Sequence, residues 1–279
     1  MTVQAQVATY RTEYVQAFEA RKSDLAALAT TKEVMSSGLT ATFLVAGSGG
    51  ASAVTRGQNG LIPYGANANN QITATLVEKH APFEMTGFDI FASQGDQKKI
   101  MRDNSIAVIN REIDDTILAE LANATQDVGT GTMTLATIAT AVAVLGQNDV
   151  PIEEENNMFG IMSPGAWAYL IQLPTFSSSD YVDMKPLSGP ARKMVRWAGV
   201  NWIRSSRVQG LGTANEFLYI WHRNALGYAV NLGEEKITLG YEEKQQVSWT
   251  NGTIYHAAKI LQNSGIIKIT HNSSAIVAT

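Results

Sequence analysis

The side chains able to do chemistry are few in this sequence, and they are scattered. There are no cysteines, which removes thiolate nucleophiles, thiolate metal sites and any disulfide framework. The four histidines, His80, His222, His256 and His271, lack metal-ligand spacing, and none belongs to an HExxH pattern. Singly, each reads as a hydrogen-bonded structural residue. Glu153, Glu154 and Glu155 stand beside Pro151, Asn156 and Asn157. A general acid needs a poorly solvated pocket to raise its pKa, so three adjacent glutamates in a polar turn read as solvated surface. Asp114 and Asp115 fall in a helical pattern, where adjacent positions face different directions, and so do not make a shared site. The run Gly47-Ser48-Gly49-Gly50 invites a phosphate-loop reading, but no Gly-Lys-Ser/Thr ending follows and the dinucleotide spacing is absent. No Gly-x-Ser-x-Gly elbow is present. The five tryptophans (Trp167, Trp197, Trp202, Trp221 and Trp249) fall in predicted helices and strands, where core packing is the default. The residues predict no catalytic, cofactor or metal site.

The elements that would position side chains are clearer. Residues 3–28 carry Val3, Val7, Tyr10, Tyr14, Phe18, Leu25 and Leu28 roughly on one helical stripe, interrupted at Arg21 and Lys22. An amphipathic segment of this kind needs a partner surface, its own or a neighbour's. Residues 47–60 are poor in large apolar groups and rich in turn formers, with Asn59-Gly60 a favoured type I′ pair. Strand-like runs flank them at Thr40–Val45 and Gln71–Val77. Together they predict a long β-hairpin with too little apolar surface to fold back on the body, and loops of such length are usually functional or disordered. A functional arm is the favoured reading.

Residues 96–124 form the strongest predicted helix. Ile106, Ile109, Ile113, Ile117 and Leu121 recur at spacings of three and four among polar residues, and the narrow stripe suggests a helix lying across a sheet. A second helix is expected from an N-cap at Thr134 to Leu145, stopping at Gly146. Then come a strand at Met158–Met162 and a helix opened by Ser163-Pro164 that ends before Pro174. Residues 175–190 predict an exposed loop. Strands follow at Val200–Ser206, Glu216–His222, Leu226–Val230, Ile237–Leu239, Gln245–Trp249, Ile254–Leu261 and Ile266–Ile269. Asn251-Gly252 is expected to turn a hairpin between two of them. The pattern is α+β, helices early and strands late, with no internal repeat.

With 279 residues, 45% hydrophobic and 16% charged, the chain can bury a substantial core in one large domain or two interleaved ones. The net charge of −4 argues against tight nucleic-acid binding, which relies on a basic surface, and leaves room only for loose, sequence-blind contact. The first thirty residues include Arg11, Glu13, Glu19, Arg21 and Lys22 and do not read as a signal peptide. No stretch approaches the roughly 20 apolar residues of a membrane span. A soluble protein made in the cytosol is expected.

The order of features, and several local segments, resemble the major coat proteins of tailed bacteriophages with the Hong Kong 97-type fold. The segments are Gly57-Gln58-Asn59-Gly60-Leu61-Ile62-Pro63, Thr86-Gly87-Phe88-Asp89-Ile90-Phe91-Ala92-Ser93-Gln94-Gly95 and Val108-Ile109-Asn110-Arg111-Glu112-Ile113-Asp114-Asp115. The resemblance in order covers most of the chain and is most specific over residues 40–125. It implies an N-terminal arm (1–35), an extended hairpin loop (40–85), a peripheral domain (86–157) with its spine helix (96–124), an axial domain (158–255) and a return to the peripheral domain (256–279). It implies pentamers and hexamers around double-stranded DNA in a virion capsid, made in the bacterial host cytoplasm. The expected contacts between subunits are Arg56, Gln58, Asn59, Leu61, Ile62 and Pro63 at the hairpin tip, and Val7, Tyr10, Tyr14 and Phe18 on the arm. Scaffolding, portal and decoration proteins are the other implied partners, with no cofactor and no membrane. Some relatives crosslink a hairpin lysine to an asparagine of another subunit; here the tip carries Arg56, while Lys79 lies nearer the base, so no crosslink is expected. Some relatives begin with a long scaffolding segment, whereas this sequence reaches the arm at once, so a separate or already removed scaffold is expected. A nanocompartment shell of the same fold is the alternative. More remote is a strand-rich hydrolase or sugar-binding domain, which would predict a stable monomer with a concave pocket.

Overall fold

The computed structural model of the chain describes residues 22–23, 25–26, 29–65, 67–93, 96–154, 156–172, 194–232 and 236–274. Most of the helix predicted over 3–28 and the whole loop predicted at 175–190 lie outside them. The chain opens with β1 (Thr31–Met35), β2 (Thr40–Gly47), β3 (Ala68–Thr75) and β4 (Val77–Thr86), then the short α1 (Gly87–Ala92) and the long α2 (Gln97–Leu121). There follow β5 (Asp127–Gly131), α3 (Leu135–Gln147), β6 (Met158–Met162) and α4 (Pro164–Ile171). The rest is strand: β7 (Met194–Trp197), β8 (Val200–Arg204), β9 (Glu216–His222), β10 (Leu226–Asn231), β11 (Lys236–Glu242), β12 (Val247–Ile260) and β13 (Ile266–His271).

These strands make two sheets and a hairpin. In the first sheet the order is β1-β10-β12-β11, with β4 along the other edge of β12. The second runs β5-β13-β9-β6-β8-β7, and β2 pairs with β3 alone. Of the segment expected to act together over 158–255, β6 to β9 lie in the second sheet, while β10, β11 and most of β12 lie in the first. β13 sits in the second sheet between β5 and β9. Four strands precede every helix, so the division into early helices and late strands is incomplete. β1 and β4 were hard to read because residues such as Lys32, Glu33, Glu78, Lys79 and His80 break any apolar run. Their partners β10 and β12 supply the pairing that makes them strands.

α2 is the predicted long helix, 25 residues and about 37 Å at 1.5 Å per residue. Asp96 caps it, accepting from Lys99 N at 3.1 Å. Its buried line runs through Met101, Ser105, Ile109, Ile113, Ile117 and Leu121, while Ile106 is only half-buried. This line rests on the even-numbered face of β12, where Ser248, Thr250, Gly252, Ile254 and His256 are buried. Asn251-Gly252 is therefore not a turn: β12 runs straight through it for 14 residues, in register with β4 on one side and β11 on the other. The reason is space. A Cβ at Gly252 would lie 2.5 Å from Ser105 Oγ and 2.6 Å from Ile109 Cδ1. The glycine marks the closest approach of helix to strand. Ser105 then donates to Ala81 O at 2.8 Å and ties the helix to β4 as well.

α3 extends past the predicted stop at Gly146. Asp149, at φ 57°, ends it with Val150 N donating to Leu145 O and Asp149 N to Gly146 O, a Schellman closure built on a residue other than glycine. Thr134 and Ser163 cap α3 and α4 as expected. β6 and most of β9 are buried on both faces, so the middle of the second sheet is covered on each side, and one apolar cluster runs through both sheets and α2 to α4. Trp202 and Trp221 are wholly buried in it. Trp249 departs from the core reading: it stands on the odd-numbered face of β12, away from α2, over Gly240, and is partly exposed.

If Gly252 sets the helix-to-strand distance, Gly252→Ala lowers stability by about 1–3 kcal/mol. Urea unfolding of the subunit, monitored by circular dichroism, measures it; an unchanged midpoint means the approach is not tight.

Candidate assembly surfaces

The hairpin is built from a regular eight-pair ladder, from Thr40↔Thr75 to Gly47↔Ala68. Its root is seated on the first sheet. Ala41, Phe43 and Ala74 pack with Ala229 and Ala257, on the face opposite α2, and Phe43 reaches over Gly227, where a Cβ would come within 3.0 Å of its ring. Beyond the ladder the seating ends. Arg56, Gln58, Asn59, Leu61, Ile62 and Pro63 are all exposed, Leu61 at 71%. Tyr64, which the sequence reading passed over, is 97% exposed. Its position beside Pro63 in an otherwise small-residue stretch was the available signal. The turn differs from the one expected. Gly60 N donates to Gly57 O and Gly57 N to Leu61 O, both at 2.9 Å, and Gly60 alone has positive φ, at 76°. This is a three-residue loop closed by a left-handed glycine, rather than a type I′ pair that would also need Asn59 at positive φ.

The arm residues Val7, Tyr10, Tyr14 and Phe18 lie outside the described residues, but the segment that follows them is anchored. Ser23 Oγ donates to Asp114 Oδ1 at 2.6 Å, and Leu25 N approaches the same oxygen at 3.4 Å. Leu25, Ala26 and Ala29 are buried, and Trp221 Nε1 donates to Ala29 O at 2.7 Å. Arg223 Nε then holds Thr30 O at 3.1 Å before β1 joins β10. Asp114 and Asp115 have separate roles, as adjacent helical positions should. Asp115 takes a two-point ion pair from Arg207, with Nε to Oδ1 at 2.9 Å, and so clasps α2 to the segment after β8.

The chemistry-bearing residues serve packing. His80 bonds Thr253 at 3.0 Å, His222 accepts from Asn224 N at 3.2 Å and His271 accepts from Met133 N at 3.0 Å. His256 departs from the expectation of a bonded histidine: it is buried, and neither ring nitrogen has a hydrogen-bond partner among the described residues. Glu154 is exposed and accepts from Asn157 at 2.7 Å within its turn, and Glu153 is exposed too; Glu155 lies outside the described residues. A buried serine, glutamate and histidine do meet. Ser163 Oγ donates to Glu216 Oε2, Gly212 N donates to Oε1 at 2.7 Å, and His271 is the cross-strand partner of Glu216. Ser163 Oγ already caps α4 through Ala166 N at 2.9 Å, so its bond to Glu216 pins α4 to β9. No set of three or more His, Asp or Glu side chains among the described residues could hold a metal ion.

The family model for phage capsid protein matches residues 3–273. The chain belongs to the phage capsid protein family. No curated protein sequence matches it. Solved structures share the Hong Kong 97-type fold at low identity. Mycobacterium phage Che8 matches with TM-score 0.73 and 13% identity over 95% of this chain and 97% of the other. The asymmetric unit of the bacteriophage PhiM1 mature capsid matches with TM-score 0.71 and 11% identity over 95% and 92%. The capsid of a native GTA particle computed with C5 symmetry matches with TM-score 0.69 and 12% identity over 96% of each chain. This is a major capsid protein: many copies assemble into the shell of a virion. No helix among the described residues is long and apolar enough to cross a membrane.

Two buried groups of this capsid protein titrate in opposite senses. Burial pushes the Asp114 carboxyl up to about 6, against the opposing bonds from Ser23 and Leu25. A carboxyl raised in the folded state stabilises the fold below its unfolded pKa, and that contribution is lost as pH rises from about 4 to about 6. Burial holds the His256 imidazole down at about 4, so it opposes folding progressively as pH falls from about 6.5 to about 4. Each effect amounts to about 3 kcal/mol at most. Asp114→Asn, which keeps an acceptor for Ser23, should leave only the acid-side loss due to His256. Urea midpoints between pH 4 and pH 7 measure this, and a profile identical to wild type would remove Asp114 from the account.

Proposed function

We propose that the chain forms pentamers and hexamers of an icosahedral shell enclosing double-stranded phage DNA, and that the hairpin is the element one copy lays over the next. The observation that carries this is the hairpin's division into a seated root and an unseated tip. Phe43 and its alanine neighbours fix the root on the first sheet, while Leu61, Ile62 and Tyr64 stand in solvent beyond the ladder. Apolar side chains held away from their own body gain burial only from another molecule. In this reading Arg56, Gln58, Asn59, Leu61, Ile62 and Pro63 are the contacts of the loop formed by residues 40–85. Val7, Tyr10, Tyr14 and Phe18 are those of the arm formed by residues 1–35, hung from the Asp114 anchor.

The axial and peripheral domains follow the two sheets better than a single cut in the sequence. α2 with β1, β4, β10, β11 and β12 serves as the peripheral domain. The six-stranded sheet with α3 and α4 serves as the axial domain around the five-fold and six-fold axes. The protein acts by packing, with no catalytic step and no cofactor. Its contact with DNA is weak and sequence-blind, in keeping with a net charge of −4. Scaffolding, portal and decoration proteins are the other partners in this reading, and the subunit is made in the cytoplasm of a bacterial host.

The test is to replace residues 48–67 by a two-residue turn joining Gly47 to Ala68. The expected product is a folded, soluble subunit with no closed particles by electron microscopy. Normal shells from that variant would refute the hairpin's role, and nucleic acid inside wild-type particles separates a virion from a protein-filled compartment.

A further inference from the structure

We propose that the hairpin tip carries a self-modification site: Asn59 closes on the backbone nitrogen of Gly60, loses ammonia and leaves a carboxylate, in free subunits and not in the closed shell. The protection by the shell rests on the hairpin's role in assembly, whereas the reaction rests on the tip alone. The chain has two Asn-Gly pairs, Asn59-Gly60 and Asn251-Gly252, and neither forms the two-residue turn expected from its sequence. Both offer the same reactive atoms. Glycine after asparagine favours ring closure, because no Cβ hinders the nitrogen and the backbone can turn toward the side chain. The surroundings separate the two pairs.

At the tip the way is open. The ladder ends at Gly47↔Ala68, and residues 48–65 beyond it are all exposed. No hydrogen bond among the described residues holds the Asn59 side chain. Gly60 N is bonded to Gly57 O at 2.9 Å, and nothing lies within 4 Å of where a Cβ on Gly60 would stand. Breaking one bond in a solvated turn frees this nitrogen, and local openings of that kind cost little. In β12 the way is shut. Asn251 is paired with Thr238 on one side and Pro82 on the other, and Gly252 with Ile237 and Ala81. The pleat holds the Asn251 side chain on the face opposite α2, while Ser105 and Ile109 close over Gly252. Bending the chain there to bring the reactive atoms together would break the pairing on both sides and lift the helix.

Water is the only co-reactant. Solvent base removes the Gly60 amide proton, and the nitrogen attacks Asn59 Cγ. The new N–Cγ bond closes a succinimide ring, the Cγ–Nδ2 bond breaks, and the nitrogen leaves as ammonia after taking a proton from water. Water then opens the ring at one of its two carbonyls. The product is aspartate, or isoaspartate with the main chain routed through the side-chain carbons. Either one sets a negative charge among the apolar tip residues Leu61, Ile62 and Tyr64, where burial against another copy disfavours a carboxylate more than an amide. A subunit left unassembled is thereby marked, and a covered tip is spared.

The test uses the full chain, sorted by mass photometry into free subunits and closed shells and held in parallel at pH 7 and pH 8. Peptide mass spectrometry reads the exchange of amide for carboxylate at each asparagine. In free subunits Asn59 should convert at least about a hundredfold faster than Asn251. Its rate should rise about tenfold from pH 7 to pH 8, as attack by a deprotonated amide requires. In shells the conversion should slow about tenfold or more. Asn59→Asp, which carries the product's charge from the start, should lower the shell yield about tenfold relative to Asn59→Gln. No conversion of Asn59 in free subunits, or conversion no faster than that of Asn251, overturns the site whatever the hairpin does. Equal shell yields from the two variants overturn the marking of idle subunits. Conversion as fast in shells as in free subunits overturns the protection, and with it the hairpin's contact, while the chemistry of the tip stands.

Discussion

The closeness of α2 to β12 is the constraint on which the rest of the subunit depends. A helix of about 37 Å lies along a 14-residue strand with Gly252 beneath Ser105 and Ile109, so no side chain of the strand holds the helix away at that point. Because the two elements cannot shift past one another, their ends become fixed reference points. Asp114 on α2 holds Ser23, Asp115 holds Arg207, and Ser105 holds β4. The arm anchor, the second sheet and the strand leading out of the hairpin are all positioned from this one seam.

β12 runs the length of the first sheet, 14 residues long. The hairpin root sits at Ala257 on the face opposite α2, and α1 sits at the far end of the same strand. In the second sheet the inner strands β6, β8 and β9 are mostly buried while the edge strands β5 and β7 are largely exposed, and buried polar groups there are bonded internally, as Ser163, Glu216 and Gly212 illustrate. What resembles a catalytic grouping by residue type is here an internal fastening, because the hydroxyl and the carboxylate are each occupied by neighbours in the same fold.

Much of the architecture was legible in the sequence because local physics governs it. The stripe of α2, the caps at Thr134 and Ser163, the strand at Met158–Met162 and the flanks of the hairpin follow from periodicity and capping chemistry that act within a few residues. The hairpin tip was legible for the same reason, since a stretch rich in glycine and small residues cannot build its own core. The stop assigned to Gly146 failed for a local reason, the closure at Asp149, whereas the turn reading of Asn251-Gly252 and the core placement of Trp249 failed through the surroundings that the fold supplies. A glycine or a tryptophan has a local preference, but a partner distant in the chain can override it: Ser105 and Ile109 at Gly252, and the open face of β12 at Trp249.

The sequence by itself determined the three longer described helices, most strands, the class of fold and the existence of an outlying hairpin, since each depends on neighbours in the chain. Only the tertiary structure decided which strands share a sheet, where the hairpin root is seated and that Asp114 meets Ser23 across 91 positions. Those outcomes depend on which surfaces meet in space, and such meetings leave no periodic trace in a single chain.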